Sequence, residues 1–199
     1  MLNPQDTIKT INSAFLRFSV DSKFFLTPSS ANRFRVNGNK ISAAKNNYKN
    51  SSEEVQVVNW FDSFWIYLEI RFEDQNTFIS LSVFQGHEND NVKHQLFRAE
   101  WDDYNNLEEK HPQPHWHITA NQAIERTFEE FAHSEDLGFV ELLKEEKSKI
   151  IDINKIHFAM CGNWANDEPH VHSIDEEGKI VRWLQGLFLH LKEQLDYVT

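Results

Sequence analysis

The sequence predicts an α+β fold: one domain built on a meandering antiparallel sheet of about five strands, with an N-terminal and a C-terminal helix packed on one of its faces. Three observations carry that prediction. Apolar residues recur with a period of two in three successive runs between Trp65 and Asp102. Both ends of the chain instead carry apolar residues at helical spacing. The length, 199 residues, fits a single domain large enough to bury most of the surface of the unfolded chain.

The first helix starts at Asn3, a capping residue, followed by Pro4, whose fixed φ suits the first helical position. Ile8, Ile11, Phe15 and Phe18 then fall on one face. Residues 37–54, NGNKISAAKNNYKNSSEE, form the most polar part of the chain and read as a mobile loop, because Ile41 and Tyr48 are their main apolar groups to offset ordering entropy. In WIYLEIRF the residues Ile66, Leu68, Ile70 and Phe72 share a face, and in TFISLSVF Ile79, Leu81 and Val83 do. HQLFRAEWD continues the alternation, with Leu96, Arg98, Glu100 and Asp102 on one parity. A fourth strand is expected at HWHIT, after Pro112 and Pro114. Thr119 and Gln122 make a capping box for a following helix, LGFVELLKEEKSK reads as another, and IHFAMC as a fifth strand. From Glu176 to Tyr197 the residues Trp183, Leu184, Leu187, Phe188, Leu191 and Leu195 make the clearest helical stripe.

The N-terminus has neither a basic region nor an apolar core of a signal peptide, and no run approaches a membrane span, so a cytoplasmic protein without membrane contact is expected. The single cysteine, Cys161, excludes an internal disulfide and a thiolate-rich zinc site. A formal net charge of −11 argues against nonspecific duplex binding. The charge is uneven: between Asp21 and Glu53 there is no carboxylate, while Lys23, Arg33, Arg35, Lys40, Lys45 and Lys49 all fall there. Nucleic acid is therefore expected to bind only through this basic segment, residues 23–49, if the segment is more than a solvated loop.

Histidines supply the most specific chemical signal. Pro-His-x-His occurs twice, as Pro114-His115-Trp116-His117 and as Pro169-His170-Val171-His172, with His111 four residues ahead of the first copy. In a strand His115 and His117 point to the same face and Trp116 and Ile118 to the other. Two neutral imidazoles so placed can share a divalent ion such as zinc or manganese, completed by His111 or a carboxylate, and His170 and His172 form a second candidate pair. Without metal, the same imidazoles can act as general acid and base. Arg98 is suited to holding an anion in two-point contact, and Asp102 to orienting a histidine tautomer. The ordinary structural reading of each is hydrogen bonding at a sheet edge and surface ion pairing.

Three histidine signatures do not fit. The histidine-triad hydrolases alternate histidines with apolar residues, which His111-Pro-Gln-Pro-His115 breaks. A cupin site places a glutamate a few residues after His-x-His, whereas the next one here is Glu125. The two-histidine phosphoesterases need His-x-Ser/Thr twice, and only His117-Ile-Thr119 complies. The span LFRAEWDDYNNLEEKHPQPHWHI, about twenty residues with an FRxxxD…HPxPHxH core, resembles small bacterial proteins of which the TumE-type toxin–antitoxin family is the nearest named case. The resemblance implies a toxin–antitoxin or phage-defence setting, a protein partner encoded alongside, and counterparts at Arg98, Asp102, His111, His115 and His117. Two functions follow as expectations: a hydrolase acting on phosphodiester bonds through the histidine cluster, with Arg98 as anion holder, or a noncatalytic subunit that binds a protein or ligand. A purely structural metal site is a third.

Overall fold

The computed structural model describes residues 2–16, 22–48, 51–73, 76–90, 93–103, 113–118, 141–142, 145 and 172–199. Helix α1, Pro4–Phe15, begins as the sequence predicts: Asn3 Oδ1 accepts hydrogen bonds from the Gln5 and Asp6 amides at 3.0 and 3.2 Å, and Ile8, Ile11 and Phe15 are buried. Eight strands follow, β1 Phe24–Ser30, β2 Arg33–Gly38, β3 Ile41–Asn47, β4 Ser52–Phe61, β5 Phe64–Phe72, β6 Thr77–Gln85, β7 His94–Asp102 and β8 His115–Ile118. Helix α2, Glu177–Val198, closes the chain and buries Ile180, Leu184, Leu187, Phe188, Leu191 and Leu195.

The sheet is antiparallel in the order β1-β2-β5-β6-β7-β8. One edge of β5 is shared: Glu69–Arg71 pair with β2, while Phe64–Ile66 pair with the end of β4, whose other neighbour is β3. The expected count of about five strands is therefore corrected to eight among the described residues. The residues read as a loop, 37–54, are largely the β3–β4 hairpin, with seven register pairs from Ile41↔Val58 to Asn47↔Ser52. Strand β3 carries little apolar signal because its buried side chains are small or polar: Ala44 and Asn46 are buried, and Asn46 Oδ1 accepts hydrogen bonds from Ser82 and Gln95.

Both faces of β5 are covered. Ile66, Leu68 and Ile70 join α1 and α2 in the main core, so both helices lie on the same face, as expected. Trp65 and Tyr67 point the other way and pack with Ala44, Val55, Val57 and Phe84 beneath the β3–β4 hairpin. That explains the near-continuous apolar character of WIYLEIRF better than one-faced alternation does. At the β1 edge, the Asn12 side chain stands in for a further strand: its Nδ2 donates to Leu26 O at 3.0 Å and its Oδ1 accepts from Leu26 N at 2.7 Å.

A bulge corrects one parity assignment. The β6–β7 register jumps between Val83↔Phe97 and Phe84↔Gln95, so Leu96 joins Phe97, Ala99 and Trp101 in the helix-side core. Gln95 lies on the opposite face with Ser82 and Asn46. The helices expected after Thr119 and over 137–149 lie almost wholly outside the described residues, as does the strand expected at IHFAMC. Neither α1 nor α2 is long and apolar enough to cross a membrane.

Candidate metal centre

Strand β8 is set against β7 by the pairs Phe97↔Ile118, Arg98↔His117, Ala99↔Trp116 and Glu100↔His115. Gln113, buried at the entry to β8, fixes this docking: its Oε1 accepts from Asp102 N at 2.9 Å, and its carbonyl accepts from His172 N at 3.2 Å. Trp116 faces the helical side and meets Phe97 edge-on with centroids 5.8 Å apart. His115 and His117 face the other way, as period-two geometry predicts.

On that face three ligand atoms converge. His115 Nε2 and His117 Nε2 are 2.6 Å apart, His117 Nε2 is 2.9 Å from Glu100 Oε2, and His115 Nε2 is 3.7 Å from the same oxygen. Ligands bonded to one zinc at about 2.0–2.1 Å lie about 3.3 Å apart at tetrahedral angles and about 2.9 Å apart at right angles. The triangle brackets both values, and its donor set, two imidazoles and a carboxylate, is one that holds zinc, manganese or iron. The side chains of His115 and Glu100 are 12% and 13% exposed and that of His117 is 37% exposed, so the cluster opens to solvent past His117.

Arg98, expected as an anion holder, makes its contacts within the protein. Its Nε donates to Glu100 Oε1 at 2.6 Å, its Nη1 donates to the Asn47 carbonyl, and the Tyr48 ring lies 4.7 Å from its Cζ. With 6% of the side chain exposed, those donors are turned inward. Asp102 accepts from Asn76 Nδ2 at 3.0 Å and is not one of the converging groups. His172 is anchored through its backbone, donating to Gln113 and accepting from Trp101 Nε1 at 2.7 Å, and it too stands outside the trio. His111 and His170 lie outside the described residues.

Glu100 is the member that sequence reasoning passed over. The sequence leaves the third ligand open as His111 or a carboxylate; in an antiparallel pair the facing residue comes from the preceding strand. The signal was present in the parity shared by Arg98, Glu100 and Asp102.

The same sheet face carries a second charged network. Arg35, Glu69, Ser80, Glu100 and His115 are successive register partners across β2, β5, β6, β7 and β8. Glu69 accepts from Arg35 Nε at 2.8 Å and Tyr67 Oη at 2.5 Å, and it pairs with Arg33 Nη2 at 2.7 Å and Arg71 Nε at 3.2 Å. Burial, the largest single influence, pushes the Glu69 carboxyl up, but the combined donors Arg33, Tyr67 and Arg35 outweigh it and hold it below the usual range. The Tyr67 hydroxyl is pushed up by burial and by donating to Glu69.

Comparison of the chain with protein-family models, with curated proteins and with solved structures gives no match.

Proposed function

We propose that Glu100, His115 and His117 hold one divalent metal ion, zinc or manganese, and that the chain is a metal-dependent hydrolase acting on phosphodiester bonds. The observation supporting this reading most strongly is the meeting of two Nε2 atoms and one Oε2 on a single face, within bonding reach of one ion. Three protein ligands leave a coordination position for water, as in catalytic rather than structural zinc sites. A bound ion would lower the pKa of that water to near neutrality and polarise a phosphoryl oxygen. The more exposed ligand, His117, marks the side from which a substrate reaches the site. The toxin–antitoxin or phage-defence setting, with a partner encoded alongside, rests on the FRxxxD…HPxPHxH resemblance, whereas the phosphodiester substrate rests on the chemistry that a histidine-held ion offers a phosphoryl oxygen. Arg98 contributes indirectly in this reading, because its donors serve Glu100 and β3.

The test is a turnover assay on an activated phosphodiester and on single-stranded RNA and DNA, with and without added zinc or manganese. Metal-stimulated cleavage by the wild type, lost in His117→Ala with the fold retained by circular dichroism, supports the reading, because the lost ligand acts in catalysis and adds little to the core. Equal cleavage by the variant overturns it. Metal binding without cleavage of any of these substrates leaves the noncatalytic subunit as the better description.

A further inference from the structure

Arg98 touches two parts of the fold that are far apart in sequence. At one end its Nε–H meets Glu100 Oε1 at 2.6 Å, which leaves Oε2 turned toward His117 at 2.9 Å. At the other its Nη1–H meets the carbonyl of Asn47, the last residue of β3, while the Tyr48 ring covers the guanidinium at 4.7 Å. The Asn47 amide in turn donates to Gln95 Oε1 on β7 at 2.6 Å. The guanidinium plane is therefore fixed from both sides, and the group is 6% exposed.

We propose that Arg98 is the positioning residue of the metal centre and couples metal binding to Asn47 and Tyr48 at the end of β3. The inference rests on the metal reading above. A carboxylate left to itself can rotate and present either or both oxygens to an ion. Here one oxygen is held by a charge-assisted hydrogen bond, so the other meets the ion as a preset, single-oxygen ligand. Only a planar, forked cation reaches Glu100 and Asn47 together; a lysine ammonium at the same place serves one and releases the other. Fixing Glu100 on an ion fixes Arg98, and through it Asn47 and Tyr48. By reciprocity, loosening Tyr48 or Asn47 weakens the ion's hold.

The experiment measures zinc affinity by competition with a chromophoric chelator for wild type, Arg98→Lys and Tyr48→Ala, with amide exchange at Asn47 followed with and without zinc. Arg98→Lys is expected to bind zinc about 10–100-fold more weakly, the range seen when a ligand's supporting partner is changed. Tyr48→Ala, which removes the ring over the guanidinium together with the hydroxyl's hydrogen bond to Asn46, should weaken binding about 2–5-fold. Zinc should slow exchange at Asn47 in the wild type and not in Arg98→Lys. If Arg98→Lys fails to fold in chelator, Tyr48→Ala and the wild-type exchange data decide. Wild-type zinc affinity in both variants, or no response at Asn47, overturns the coupling while leaving the metal site intact. A wild type that binds no zinc overturns the metal reading itself, and this inference with it.

Discussion

Replacing Glu69 with glutamine removes the charge at the centre of the second network while preserving its shape. Its side chain is 4% exposed and faces Arg33, Arg35 and Arg71, whose side chains are 34%, 31% and 37% exposed. Removing one partner of a fully buried ion pair costs about 3–5 kcal/mol. These arginines can rehydrate, so the cost is discounted to about 2–3 kcal/mol. For a chain of this length each kcal/mol moves the melting temperature by about 2–4 °C, so Glu69→Gln should melt about 4–12 °C lower at neutral pH. The pH dependence has a definite sign. The folded Glu69 carboxyl titrates below its ordinary range, so the unfolded state binds more protons over the acid window. The Glu69 contribution is complete above the ordinary carboxylate range and disappears as pH falls through the folded value. Wild type and Glu69→Gln should therefore converge in acid. Thermal melts at several pH values provide the assay. A melting temperature within 1 °C of wild type at neutral pH, on the order of a few tenths of a kcal/mol, or an equal deficit at every pH, would refute the reasoning.

Two glycines give opposite expectations. A Cβ at Gly38 would come within 2.6 Å of the Lys23 carbonyl and 2.7 Å of Val58 Cγ1, so Gly38→Ala should destabilise by about 1–3 kcal/mol in chemical denaturation. At Gly186, exposed on α2, an added Cβ meets nothing within 4 Å, and Gly186→Ala should raise stability by about 0.5–1 kcal/mol in the same assay.

What the sequence disclosed, and what it did not, follows from where each signal is carried. The helices α1 and α2 were legible because their caps and apolar stripes are local: Asn3 caps the first, and Leu184, Leu187, Phe188, Leu191 and Leu195 line the second. Strands β5 to β7 were legible from alternation, and β8 from aromatic and proline punctuation. Strand β3 was not, because Asn46 is buried by hydrogen bonds from Ser82 and Gln95, residues that the chain reaches only much later. The bulge that moves Leu96 into the helix-side core likewise depends on the pairing with β6. The facing of His115 and His117 needed only parity. Identifying Glu100 as their companion needed the β7–β8 register, and the hydrogen bond from Arg98 to Glu100 needed the side-chain geometry.

The central claim is that Glu100, His115 and His117 form one metal site, and direct titration of the metal-free protein tests it most simply. Zinc and manganese would be added to wild type, His117→Ala and Glu100→Gln, with elemental analysis of the protein after chelator-free purification alongside. The account predicts one ion per chain in the wild type, an affinity that falls as pH drops because imidazole ligands must be deprotonated, and loss of stoichiometric binding in both variants. Binding that survives His117→Ala and Glu100→Gln unchanged, or a wild type that takes up neither metal, would contradict it.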